Sequence, residues 1–213
     1  ILRVGVPISV QDGFIQISFL VITVIVNARG VVDAAAVGIV EKFISFVFMV
    51  PSAMLATVSA LGAIRIGAGK PEQTVDILHA GLKIVVGYGM ALAILIQFCA
   101  YGVVGIFTSE PAVIAAGGPY LKGYIFDTIF AGIHFSFSGY FCARGKAGLS
   151  FLHNILAIAL VRVPGVYLTS KLFPATLLPM GLATAAGSLL SVIICVIAFA
   201  VLHRKDRETV SGG

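Results

Sequence analysis

Six apolar stretches, each long enough to cross a bilayer, limit what this chain can become. They run over roughly 6–26, 35–62, 76–106, 119–142, 151–171 and 179–202. A spanning helix needs about 20 predominantly apolar residues. In lipid, every backbone N–H and C=O must be satisfied within the structure, which a helix achieves alone. The chain therefore reads as an all-α integral membrane protein, with a six-transmembrane-helix bundle over residues 1–203 and a polar cytoplasmic tail over 204–213. Composition excludes an ordinary soluble domain: 11% of residues are charged, against about 25% in soluble proteins.

The breakers fall between the stretches: Asn27 to Gly30, Gly67 to Pro71, Thr108 to Pro111, Arg144 to Gly148, and Phe173-Pro174 with Pro179. Pro51 lies inside the second stretch and predicts a kink there. The residues after Pro111 predict a short interfacial turn before the fourth helix. Basic residues set the orientation. Arg3, Arg65, Lys70, Arg144, Lys146, Arg204, Lys205 and Arg207 fall on one side, and Arg29, Lys42, Lys122 and Lys171 on the other. The positive-inside rule then puts both termini in the cytoplasm, which agrees with an even number of spans. There is no initiating Met and no cleavable signal, so the chain is read as a piece of a longer protein.

Enzyme chemistry finds no support. Gly67-Ala68-Gly69-Lys70 lacks the first glycine of a phosphate loop, and Pro71 stands at its Ser/Thr position. No nucleophile–His–acid constellation and no metal-ligand cluster stands out. Cys99, Cys142 and Cys195 lie in apolar runs and read as small buried residues. The reading is of a non-enzyme with no catalytic residue, metal or cofactor, and no nucleic-acid partner.

Polar residues inside apolar helices are costly in lipid and are tolerated when they face a protein interior or a water-filled path. Tyr120, Tyr124, Asp127, His134 and Ser138 recur at helical spacing in the fourth stretch. The first stretch carries Ser9, Asp12, Gln16, Thr23 and Asn27 on one face, and the second carries Glu41, Ser45, Ser52 and Ser59. The sixth carries Thr184, Ser188, Ser191 and Cys195; the fifth carries Asn154 and Arg162. Structural alternatives stand beside the functional ones. Hydroxyls can bond their own backbone or join helices. Asp12 and Glu41-Lys42 can be solvated near helix ends. Arg162 reads first as a structural residue that snorkels or pairs with a carboxylate. Asp127 and His134 lie deeper and are the leading functional candidates. A carboxylate in such a place can exchange a proton, bind Na⁺ or neutralise an organic cation. The two residues are about two turns apart, so a water or hydroxyl would have to join them.

Several segments carry a family resemblance. Val47-Phe48-Met49-Val50-Pro51 through Arg65-Ile66-Gly67-Ala68-Gly69-Lys70 resembles the second helix of a lobe of the multidrug and toxic compound extrusion (MATE) family, with its internal proline and cytoplasmic turn. Phe107 to Ile114, followed by Tyr120-Leu121, resembles that family's F-x-x-[DE]-P-x-V-I…Y-L element. Gly139 to Lys146 resembles the exit of the fourth helix. Arg162-Val163-Pro164-Gly165-Val166-Tyr167 resembles the R-x-P-x-x-Y element of the second lobe. The resemblance implies one lobe of a twelve-helix, two-lobe transporter that exports cationic, amphipathic compounds in exchange for Na⁺ or H⁺. The partners it implies are the N-terminal six-helix lobe or a second copy, the lipid bilayer and small organic cations. The implied location is a bacterial inner membrane. Asp12, Gln16, Glu41, Asp127 and His134 would face the cavity, and Tyr120 and Tyr124 would offer aromatic surface to a cation. Family members that couple through this lobe carry acids near the positions of Ile15-Gln16 and Ile133-His134, so either Asp127 and His134 form a local variant of that site or coupling resides in the other lobe. Two rival readings remain: a flippase for lipid-linked sugars, which needs a basic cavity, and a non-transporting membrane scaffold.

Overall fold

The computed structural model describes the backbone of residues 2–211 and side chains from Gln16 to Arg204. The expected all-α bundle is present, and no strand occurs among the described residues. Six rods make it. The first is α1 (Leu2–Asn27) and the second is α2 (Val31–Val47) continued by α3 (Met49–Gly67). The third is α4 (Gln73–Phe107), and the fourth is α5 (Pro111–Tyr124) followed by α6 (Asp127–Ala143). The fifth is α7 (Ala147–Ala157), a π turn over Ile158–Arg162, and α8 (Val163–Leu172); α9 (Leu178–Ser211) is the sixth. Among the described residues, four continuous helices are long and apolar enough to cross a membrane: Val31–Gly67, Gln73–Phe107, Ala147–Leu172 and Leu178–Arg204. Their outer faces carry exposed apolar side chains such as Ile64, Ile94, Phe98 and Ile106, the surface that lipid covers.

The fourth rod sits at the centre. α6 packs against α3, α4, α7 and α9, and from Phe135 to Cys142 every one of its residues is buried. Small residues permit this crowding. At Gly139, an added Cβ would stand 2.6 Å from the Leu55 carbonyl oxygen.

The fourth rod differs from its sequence reading. The helix begins at Pro111 rather than near 119, because proline suits the first helical position, where no N–H bond is required. The break falls instead at Ile125-Phe126. There the ladder tightens to i→i+3 bonds, with Thr128 N–H donating to Ile125 O (3.1 Å) and Ile129 N–H to Phe126 O (3.2 Å). The second rod breaks at Phe48, one turn before Pro51, which has no N–H to offer the Val47 carbonyl. The unbroken α4 repairs both places. Tyr88 Oη donates to Val47 O (3.1 Å) and Gln97 Nε2 donates to Lys122 O (3.1 Å). At its far end, α9 continues to Ser211, past the predicted limit of 202, through Lys205, Asp206, Arg207 and Glu208, where neither Gly nor Pro stops it.

The glycine-lysine turns are helix caps. Gly69 (φ +75°) and Gly145 (φ +71°) take the left-handed conformation. The following lysines close back onto the helix, Lys70 N–H donating to Arg65 O (2.9 Å) and Lys146 N–H to Phe141 O (2.8 Å). This is a Schellman closure, which explains the phosphate-loop-like spelling of the first turn without a phosphate. At the opposite end, Arg29 ties the α1–α2 turn to the α8–α9 turn. It donates to Ser170 O (2.7 Å), Phe173 O (3.3 Å) and Pro174 O (2.9 Å) and pairs with Asp33 (2.7 Å). A small cleft of about 90 Å³ lies beside it.

Candidate functional site

Two groups of buried polar side chains occupy the interior of the lobe, both built around α6. The first centres on Arg162. The π turn adds a residue to the helical register just ahead of Pro164 and ends at Arg162, whose side chain is buried. Gly187 on α9 makes the space: a Cβ there would stand 2.8 Å from the Arg162 Cβ. Arg162 Nη2 donates to Tyr124 Oη (2.8 Å) and lies 3.7 Å from Asp127 Oδ2. The guanidinium also lies 5.2 Å from the Phe19 ring centre.

Asp127 is fully buried. Neither carboxylate oxygen makes a hydrogen bond to another described residue, although Ser188 on α9 lies beside it. A buried carboxylate with a counter-charge but no hydrogen bond is an unusually costly arrangement, since unsatisfied buried charge is penalised most heavily. The structure thus joins Asp127 to Arg162, the pairing the sequence allowed for the arginine, and places His134 two turns away.

Tyr120 and Tyr124 are fully enclosed, ring against ring with centres 5.6 Å apart. In this structure the cation that meets Tyr124 is the chain's own Arg162, so neither ring is presented at the lobe surface. The close crossing of α5 and α9 seals them, with Gly181 packed on the backbone of Tyr120 and Tyr124. Glu41 on α2 is partly exposed, with one carboxylate oxygen buried and unbonded. The Arg162 charge is felt there. Gln16 is exposed on α1, apart from this group. The Asp12 side chain lies outside the described residues.

The second group lies nearer the Gly145 turn. His153 on α7 is buried between α6 and α9. Its Nε2 is 2.9 Å from Ser138 Oγ and its Nδ1 is 3.2 Å from Ser191 Oγ. His134 stands 5.5 Å away, ring centre to ring centre, with its Nδ1 buried and unbonded. Sequence reasoning missed His153 because it sits within one turn of the predicted start of the fifth helix, where a histidine reads as solvated. The signal was there: Ser150, His153, Asn154 and Ala157 share the buried face of α7 at spacings of three, four and seven.

Residues 7–168 match the MatE family model, more than half of the chain. The chain belongs to the MATE family. Among curated relatives, the probable multidrug resistance protein YpnP of Bacillus subtilis is 26% identical over 187 residues, covering 88% of this chain and 41% of that protein. The probable multidrug resistance protein YoeA of the same organism is 23% identical, covering 98% of this chain and 45% of that protein. This MATE chain therefore spans less than half the length of those relatives. Solved structures agree in fold. A Vibrio cholerae MATE transporter, VcmN in its bent form, superposes with a TM-score of 0.83 at 16% identity, over 96% of this chain and 46% of that one. An outward-facing multidrug resistance MATE family transporter gives 0.86 at 15% identity, over 95% and 47%. The bundle is one half of the MATE architecture.

Proposed function

We propose that this chain is the second lobe of a secondary-active exporter that moves cationic, amphipathic compounds out of a bacterial cell in exchange for H⁺ or Na⁺. The observation that carries the reading is Asp127: a carboxylate enclosed at the centre of the lobe, faced by Arg162 at 3.7 Å and holding no hydrogen bond among the described residues. Such a group is poised to accept a small cation or a proton, because either one removes the cost of its buried charge. Taking up the ion would release Arg162 toward Tyr124 and Glu41, and that rearrangement would bias the lobe between two packings. Rocking of this lobe against its N-terminal partner would alternate access to the space between them. Glu41, part-exposed on α2, is the carboxylate a bound organic cation can reach from the lobe surface.

The lipid-linked-sugar alternative needs a deep base free to hold an anion. Arg162 is buried and already engaged by Tyr124 and Asp127, which favours the cation exporter. The test is efflux of an organic cation by the full-length protein carrying Asp127→Asn, with Na⁺ and pH varied separately. Loss of ion-dependent efflux supports the assignment; unchanged efflux and unchanged ion dependence refute it.

A further inference from the structure

Charge is unevenly shared between the two ends of the lobe. At one end the α3–α4 turn presents Arg65 and Lys70, and the α6–α7 turn presents Arg144 and Lys146. Helix packing sets these turns side by side. Gly62 on α3 lies against α6, where an added Cβ would stand 2.7 Å from the Ala143 Cβ. Arg65 follows Gly62 by three residues, and Arg144 follows Ala143 directly. α9 reaches the same place. Phe199 meets the Tyr140 ring at 5.3 Å and stacks on His203 at 5.7 Å, while the Arg144 guanidinium lies 5.0 Å from the Tyr140 ring centre. Arg65, Lys70 and Lys146 are exposed, and no ion pair holds them to another described side chain.

Helix ends account for part of this charge. Arg65 stands in the last turn of α3 and Arg144 at the C-cap of α6, where the helix dipole favours a cation. Lys70 and Lys146 come after those ends and lead into the next helices. Lys146 is itself the N-cap of α7, where the same dipole favours an anion. The acids nearby, Glu72 and Asp76, meet that preference at the start of α4; the first turn of α7 has no acid. At the opposite end the turns balance. Arg29 pairs with Asp33 and binds three carbonyls, and Lys171 stands against Glu110.

We propose that the end of the lobe formed by the Gly69 and Gly145 turns is a docking surface for anionic phospholipid headgroups, their phosphates met by Arg65, Lys70 and Lys146. The guanidinium offers a planar fork to phosphate oxygens, and the ammonium groups act as point charges. The surface beside the cations selects a lipid. Leu61 and Ile64 on α3, and Ile197 and Val201 on α9, are exposed apolar side chains close to the same two helix ends. A soluble phosphate would use the cations alone, whereas a phosphate that carries acyl chains uses both. Basic residues gathered at a membrane surface recognise anionic lipid in this way, each strengthening binding about fivefold. A choline headgroup brings its own cation and gains nothing from them. The proposal stands apart from the exporter reading, since it concerns which lipid the lobe holds and not what it moves.

The test uses the full-length protein in detergent micelles that contain phosphatidylglycerol with a photoactivatable headgroup, the cross-links being mapped by peptide mass spectrometry. Wild type is expected to label within residues 61–70 and 144–149. Lys70→Gln/Lys146→Gln spares the arginines at the helix C-termini and alters no buried side chain. It is expected to lower this labelling at least about tenfold, the scale set by two cations at about fivefold each. Lys171→Gln, at the opposite end, is expected to stay within about twofold of wild type. Unlabelled phosphatidylglycerol should compete, and glycerol phosphate at the same concentration should not. Absent labelling of these residues overturns the proposal, as does equal labelling by photoactivatable phosphatidylcholine. Unchanged labelling in the double variant, or an equal fall in Lys171→Gln, overturns it too. Competition by glycerol phosphate would mark a site for soluble anions and remove the lipid assignment.

Discussion

Replacing Arg162 with Met tests the energetic logic of the lobe's centre. At 3.7 Å from Asp127, the guanidinium supplies a Coulomb attraction of about 4.5 kcal/mol at an effective dielectric of about 20. It also gives a charged hydrogen bond to Tyr124, of a kind that contributes about 1.5–3 kcal/mol. Met fills much of the same volume but leaves Asp127 charged, buried and alone. Removing one partner of such a pair costs about 3–5 kcal/mol. For a unit of this size, each kcal/mol moves the melting midpoint by roughly 2–4 °C, so the expected fall is about 6–20 °C. The double variant Asp127→Asn/Arg162→Met removes both charges and should recover most of the loss. The assay is thermal unfolding of the full-length protein in detergent, followed with a thiol-reactive dye. Cys142 and Cys195 are free and buried, and Cys99 is exposed, so the dye has a baseline and a reporter within this lobe. An Arg162→Met midpoint within about 2 °C of wild type would refute the reasoning, as would a double variant no more stable than the single one.

Two other perturbations follow from close contacts. Gly187→Val should push Arg162 off Tyr124, since even the new Cβ would sit 2.8 Å from the Arg162 Cβ; overpacking of this kind costs about 1–3 kcal/mol, read in the same thermal assay. Arg29→Ala removes the guanidinium that holds three carbonyls and Asp33 at once. Protease cleavage within residues 173–177 should then rise severalfold. Arg29→Lys should restore only part of the protection, because an ammonium cannot reproduce the planar fork.

Much of this protein was legible along the chain. The apolar run lengths require a helical membrane bundle, because lipid leaves the backbone no other partner. The prolines and glycines mark where the rods end or break. The polar spacings also pick out Asp127, His134 and Arg162 as residues that need an explanation. What one-dimensional spacing cannot supply is the partner across a helix seam. Only packing joins Arg162, on the fifth rod, to Tyr124 and Asp127 on the fourth. Likewise, only packing brings Tyr88 to the carbonyl that Pro51 leaves unpaired. The two tyrosines show the same limit: their apolar neighbours suit a cavity wall or a core equally well, and the close crossing at Gly181 decides for the core. His153 shows it most plainly. The sequence reading passed over it, and the burial of α7 between α6, α9 and α1 makes it a bridge between two serines. Hydropathy along the chain marks the side chains that lipid would not tolerate. The tertiary structure decided what each of them touches, because helix-to-helix contacts depend on rotation and close approach, which no local pattern encodes.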